Sequence, residues 1–351
     1  MSKVNQKAIA DQLGISRATV SRCFTNHAGI NATTRAKVFQ LAAEMGYTHL
    51  ESRSPSVKKA KKQASFNVLI CSDTEEYFRG AYASPGEQIL VGVSEYAQAH
   101  EIRVNVDFIP PKTASLADPV FAEIKSLRLR KNRGIILIYP FVKKIVKDLA
   151  LKYPLVSLVD QLELESIDCV DVNHCSGISM IIDQLIKKGH KRIGFLTRDY
   201  AITASWSFRR YSAFLEKMAR EKLIVDPRDI IGIFPRTFTS AAAGIAEAFD
   251  RTRDGVTAWV CAADHQAFDL IEGLNHGGLK VPQDVSVTGY DGIQRENSAT
   301  TLTTVEIPFR AIGMNGAERL ATRIRKPFGG SQHVDITGKL QEGETIAPPP
   351  A

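Results

Sequence analysis

The chain is most informative at first through what it lacks. No apolar run approaches the roughly 18 residues that a membrane-spanning helix needs, and the N-terminus has no apolar export core, so the expectation is a cytoplasmic protein with no membrane partner. The five cysteines (Cys23, Cys71, Cys169, Cys175 and Cys261) are scattered, odd in number and free of any CxxC pair. That usage excludes a disulfide scaffold and fits a reducing compartment. DCVDVNHC gathers two Cys, two Asp and one His, but its spacing matches no common zinc pattern. P-loop, GxSxG, GxGxxG and HExxH motifs are all missing, and the eight histidines are dispersed with no Ser/His/Asp arrangement. The expectation is therefore no metal, no cofactor and no enzyme.

What is present is 351 residues of ordinary globular composition, 44% hydrophobic and 24% charged, enough for two or three domains. The net charge of +7 is unevenly placed: residues 1–65 carry +8 and the remainder −1. A cationic N-terminus of this kind calls for a polyanion, because each neutralised phosphate releases counterions.

The segment ISRATVSRCFT at residues 15–25 shows how that partner is met. Seven of its eleven residues offer a hydroxyl, thiol or guanidinium. Asn5 is placed to cap a first helix in which Ile9 and Leu13 share a face. Gly14 can take the left-handed turn. Ser16 can then cap a second helix with Val20 and Cys23 on its inner side. Two short helices about a tight turn make a helix-turn-helix. Arg17, Ala18, Ser21 and Arg22 fall on the outer side. Arginine can read guanine and alanine a thymine methyl in the major groove, while the hydroxyls of Ser16, Thr19 and Ser21 suit phosphate oxygens. A solvated helix pair without a ligand would show the same spacing; the charge asymmetry favours DNA.

A third helix is expected from Asn31, with Val38, Leu41, Ala42 and Met45 on one stripe and Gly46 at its end. It completes a headpiece over residues 1–50. Residues 51–65, ESRSPSVKKAKKQAS, read as a basic linker. From residue 66 to 345 short apolar runs alternate with helical segments in two series, from FNVLICS to PLVSLVD and from CVDVN to DVSVTGY. This βαβ alternation predicts two α/β lobes, each a parallel sheet wound on both sides by helices. Ligands of such sheets bind outside the carboxyl ends of the strands, and a cleft between the lobes is the expected site. Asp73 and Phe78 after the first strand, Asp160 at the end of PLVSLVD and Asp264 at the end of TAWVCAA are candidates there, as is Trp206 as a stacking face. Each acidic residue has the plainer alternative of a helix cap or loop charge, and each aromatic that of core packing.

In this order the motifs resemble the lac repressor/gal repressor family of bacterial transcription regulators, over nearly the whole chain. The residues that carry the resemblance are AIADQLGISRATVSRCFTNHAGINATTRAKVFQLAAEMGY, KKGHKRIGFL, CAADHQA, VPQDVSVTGYDGI and LTTVEIPFRAIGMNGAERL. The resemblance implies a homodimer on a pseudo-palindromic operator in double-stranded DNA, with half-sites about one helical turn apart, and a periplasmic-binding-protein-like core that binds a small effector, usually a sugar. Carried over by motif, Arg17, Ala18 and Arg22 read bases, and Ser16, Thr19, Ser21 and Asn26 contact the backbone. IPFRAIGMNGAERL contributes to the dimer interface, against the alternative of a core-packing helix.

Two departures stand out. The family's hinge leucine is replaced by Ser56, after a helix-breaking Pro55, which removes the minor-groove wedge. The family's effector arginine, three residues before a glycine, corresponds to Ser207, and the glycine to Arg210. Arg210 or its neighbour Arg209 is the expected substitute. The function expected is an effector-responsive transcriptional regulator, most simply a repressor. A sugar-binding receptor or an α/β enzyme without a DNA role is the alternative; the first would need an export signal and neither needs the basic headpiece.

Overall fold

The computed structural model describes residues 5–25, 27, 29–45, 47, 65–72, 84–124, 127, 134–162, 167–198, 200, 202, 205–233, 240–293, 295, 300–327 and 329–350. These form two compact units. One is built from the described residues before 80, from 84–171 and from 309–334; the other from 172–308 and 335–350.

The first unit begins with the headpiece. Asn5 accepts from the backbone N–H of Lys7 and Ala8 at 2.9 and 3.1 Å and starts α1 (Gln6–Leu13). Gly14 ends it at φ +62°, where a side chain would be strained. Ser16 Oγ accepts from Thr19 N at 3.0 Å and starts α2 (Arg17–Phe24). Asn31 does the same for α3 (Ala32–Glu44), taking Thr34 N at 2.7 Å. The helix ends at Glu44 with Met45 as its cap; Gly46, Asn26 and the linker before Ser65 lie outside the described residues. Ile9, Val20, Cys23, Ala36 and Val38 are fully buried and make the headpiece core.

The α/β part of this unit is a six-stranded sheet in the order β11-β5-β4-β3-β1-β2. Its strands are β1 (Ser65–Cys71), β2 (Arg103–Ile109), β3 (Gly134–Ile138), β4 (Leu155–Leu158), β5 (Asp168–Val172) and β11 (His333–Ile336). The pairs from β2 across to β5 are parallel. β1, β3 and β4 are buried along their whole length, as strands covered on both faces must be. The covering helices include α4 (Pro85–Ala99), α5 (Pro119–Glu123), α6 (Lys143–Ala150) and α11 (Phe309–Arg325). Two sequential series of elements were expected, one per lobe. Instead α11, far along the chain, returns to this first unit.

The reason lies where α4 and α11 cross. A Cβ on Gly92 would stand 1.9 Å from the carbonyl oxygen of Arg310, and one on Gly313 would stand 2.0 Å from that of Ile89. Both helices therefore touch backbone to backbone, a fit open only to glycine. IPFRAIGMNGAERL packs here as a core helix of its own chain. A buried ion cluster anchors the far end: Asp168, fully buried, accepts from Arg319 at 2.8 Å, from Arg323 and from Gln332 N at 2.8 Å.

The second unit holds a four-stranded parallel sheet, β7-β6-β8-β9, from β6 (Ile193–Leu196), β7 (Ile230–Ile231), β8 (Ala258–Cys261) and β9 (Ser286–Thr288). Around it lie α7 (His174–Lys188), α8 (Ser205–Arg220), α9 (Ala241–Arg253) and α10 (Asp264–His276). Trp259, fully buried, donates to Thr252 Oγ1 at 2.9 Å. A separate antiparallel pair, β10 (Thr304–Glu306) with β12 (Lys339–Gln341), was not foreseen; these strands are three residues long, too short for an alternation pattern to declare them.

Overpacking a close helix crossing costs about 1–3 kcal/mol. Gly92→Ala and Gly313→Ala are each expected to lower the melting temperature in thermal unfolding, while Gly329→Ala, with no atom within 4 Å of the added carbon, leaves it unchanged.

Candidate functional site

Two groups of side chains stand out, one in each unit. The first is the outer face of α2. Its apolar residues Val20 and Cys23 are fully buried, and burial pushes the Cys23 thiol up to about 11, so it stays a neutral packing group. Arg17, Ala18 and Arg22 are exposed together with Ser16 at the cap, and Thr19 and Ser21 are half-buried beside them. Ser16 Oγ and Thr19 Oγ1 also lie 2.9 Å apart. One hydroxyl thus holds the helix start while it remains at the surface. Asn26, the last residue of the expected set, lies outside the described residues. The helix is held by its inner face and leaves donors outward, the arrangement that major-groove reading requires.

The second group gathers at the carboxyl ends of β8 and β9. Arg210 reaches in from α8 and is 3% exposed. Its guanidinium donates to the carbonyl of Ala262, to Asp291 Oδ1 at 3.0 Å and, through Nε, to His174 Nδ1 at 3.3 Å. Two rings face it, Trp206 at 4.7 Å and Tyr290 at 4.0 Å from their centroids. A cation between aromatic faces is attracted by both ring quadrupoles. Asp291 follows β9 at φ +141°, a strained conformation for a residue with a side chain. Asp264 opens α10 and is fully buried; its carboxylate accepts from Thr304 Oγ1 at 2.5 Å and from Ile293 N at 2.6 Å. Burial pushes the carboxyls of Asp264 and Asp291 above the usual range, and Arg210 opposes that rise in both. His265 is driven the other way by burial, down to about 3, and is neutral.

A neutral hydrogen-bond chain continues from this cluster. Tyr200 stands edge-on to Trp206 at 5.2 Å and accepts from Gln266 Nε2 at 2.7 Å. Thr197 Oγ1 and Ser207 Oγ are 2.9 Å apart. Ser207 takes a local hydroxyl bond, and the cation enters from Arg210, one helical turn further on. Trp206, Arg210 and Asp264 come together as expected, Asp264 with both oxygens engaged inside the unit. Asp160 is 4% exposed and lies in the other unit, just after β4, where Val159 has φ +55°. Asp73 and Phe78 lie outside the described residues.

Sequence reasoning passed over Asp291, Tyr290, His174, Tyr200 and Gln266. For Asp291 a signal existed, since it ends the strand run in VTGYDGI, the same logic that selected Asp264. His174 had been weighed only as a metal ligand. No group of three or more His, Cys, Asp or Glu that could hold a metal occurs among the described residues, and none of the helices described there is long and apolar enough to cross a membrane.

Comparison with known proteins matches both parts. Residues 7–49 fit the family described as bacterial regulatory proteins, lacI family, and residues 182–346 fit the periplasmic binding protein-like domain. The HTH-type transcriptional regulator IpsA of Corynebacterium glutamicum is 26% identical over 97% of this chain and 97% of its own length. The ribose operon repressor of Haemophilus influenzae is 24% identical over 92% of each. Among solved structures, a lac repressor dimer bound to operator and the anti-inducer ONPF aligns with a TM-score of 0.65 at 20% identity, over 99% of this chain and 100% of the other. A complex of the transcriptional regulator CelR with cellobiose gives 0.67 at 20%, over 97% and 99%. The structural likenesses establish the shared fold. With the headpiece match, the matching core domain and the full-length relatives together, the chain belongs to the lacI family of bacterial regulatory proteins.

Proposed function

We propose that this regulator acts as a homodimeric repressor that reads a pseudo-palindromic operator through α2 and releases or tightens its hold when a small polyhydroxylated effector, a sugar or sugar derivative, meets the Arg210–Asp291 cluster. The observation that carries the DNA half is the exposure of Arg17, Ala18 and Arg22 on a helix whose inner face is fully buried, in the stretch of chain with all the excess positive charge. Arg17 and Arg22 donate to base edges, Ala18 meets a thymine methyl, and Ser16, Thr19, Ser21 and Asn26 take phosphates.

The effector half follows from the chemistry of the cluster. Arg210 offers donors, Asp291 offers an acceptor 3.0 Å away, and Trp206 and Tyr290 offer flat apolar faces. Adjacent hydroxyls on a ring satisfy a donor and an acceptor at once, and the ring's C–H face packs on an aromatic. Asp264 acts here by holding Ile293 N and Thr304, and so the loop that carries Asp291. Relatives named for ribose and bound to cellobiose support a carbohydrate. The link between effector and operator is a shift between two arrangements with different DNA affinity.

Fluorescence anisotropy against genomic fragments tests the first half. Arg17→Ala and Arg22→Ala should each remove about 1–3 kcal/mol of discrimination between a specific and a scrambled fragment, and unchanged discrimination in both would overturn the assignment. For the second half, a thermal-shift screen of sugars and sugar phosphates should give a hit that Trp206→Ala abolishes. Arg210→Ala leaves two buried carboxylates without their cation, which costs roughly 3–5 kcal/mol at neutral pH. Both carboxyls hold protons more tightly folded than unfolded, so that deficit should narrow as the pH falls and they protonate; pH-dependent urea unfolding reads it directly.

A further inference from the structure

The headpiece buries more than a free-standing three-helix domain requires. On α3 Val38, Leu41 and Ala42 form the expected buried stripe, and both α1 and α2 pack on this helix. A second stripe, Ala32, Arg35, Ala36, Phe39 and Gln40, follows the same i, i+3, i+4, i+7, i+8 spacing on another side of the helix and is buried as well. Only Thr33, Lys37 and Glu44 stay exposed. The second stripe includes an arginine 1% exposed, a residue that is almost never so buried without partners.

Its partners explain it. Arg35 Nη2 donates to the carbonyls of His27 and Ile30, at 2.8 and 3.4 Å, and fixes the turn between α2 and α3. Arg35 Nη1 leaves the headpiece and donates to Gln98 Oε1 at 3.0 Å, at the end of α4 in the α/β part of the same unit. Lys37 Nζ lies 4.0 Å from Glu87 in the first turn of α4. α3 packs along α4 and against β2, which is the edge of the six-stranded sheet, a place where an unpaired strand needs cover. At its start α4 is tied to the carboxyl end of β3: Gly86 N–H donates to Tyr139 Oη at 2.7 Å, and Tyr139 itself sits at φ +71°.

We propose that the headpiece is docked on the first α/β unit through α3, with Arg35 pinned to Gln98, so that α2 is presented on a rigid mount and not by the linker alone. The side chains of α3 that reach α4 are Arg35 and Lys37; Arg17, Ala18 and Arg22 remain exposed, so the mount leaves the DNA face open. A displacement of α4 is then carried to the recognition helix directly. This fits a chain whose linker has Ser56 and Pro55 where a wedging hinge would stand. The proposal deepens the reading as a DNA-binding regulator, but its test uses no DNA and can fail independently of that reading.

The full-length protein is treated with a zero-length carbodiimide, which joins an amine to a carboxylate only where the two touch. The expected product is a Lys37–Glu87 amide in the band of single-chain mass, with Lys217–Asp183, 2.6 Å apart, as the internal control. Gln98→Lys sets a second cation against Arg35 and should cut the Lys37–Glu87 yield several-fold while the control link is unchanged. In the same variant, hydrogen exchange across residues 91–99 and 103–109 should accelerate as α3 leaves. Absence of the link beside a formed control, its appearance only at twice the chain mass, or a yield and exchange unmoved by Gln98→Lys would each overturn the docking.

Discussion

Two glycines at one helix crossing, each against a backbone carbonyl of the facing helix, set the plan of the first unit. Where α4 meets α11, the carbonyl oxygens of Ile89 and Arg310 occupy the space that a methyl group at either position would need. That approach draws residues 309–325 away from the unit that precedes them in the chain and lays them on the sheet of the other. It also fixes α4, and α4 is the surface against which α3 rests. The headpiece, the central sheet and the late helix are thus one connected body because of a backbone contact. Chains that exchange segments between two lobes gain cooperative folding at the expense of local contacts, since loop closure must precede the reward.

Electrostatics divides the labour differently. The excess positive charge belongs to the headpiece and linker, while the rest of the chain is near neutral. Within that neutral body, charges are buried in matched sets: Asp168 with Arg319 and Arg323, and Asp229 with Arg192 and Arg251. These sets hold elements together. The Arg210 cluster differs in setting a strained aspartate, Asp291, and aromatic faces on the guanidinium, with the second buried carboxyl of Asp264 bonded elsewhere. Strain and raised carboxyl pKa values gather at places that do something.

Much of this was readable in the residues. The caps at Asn5, Ser16 and Asn31 depend on local hydrogen bonds, so their positions are written where they act. The parallel strands were legible as apolar runs because both faces are buried, and the alternation with helices revealed two α/β units. What stayed hidden depends on contacts distant in sequence. Nothing near Gly313 announces that Ile89 lies against it, and the three-residue strands β10 and β12 are shorter than any periodicity. In the cluster, Arg210 was visible as a departure in its helix and Trp206 as a candidate stacking face. Asp291 and Tyr290 became partners only through the fold, and Asp264 proved to be the residue that steadies them. The second buried stripe of α3 was masked by its polarity, since Arg35 and Gln40 read as solvent-facing until their neighbour is known.

The transfer of the cation from position 207 to position 210 reaches beyond stability. Three residues of helix move the origin of a side chain by about 4.5 Å along the axis. A guanidinium that starts from there approaches the carboxylate of Asp291 from a new direction and fills room that a glycine would have left open. For the effector site proposed above, ligands chosen by analogy with relatives would meet a guanidinium where their own pockets carry none.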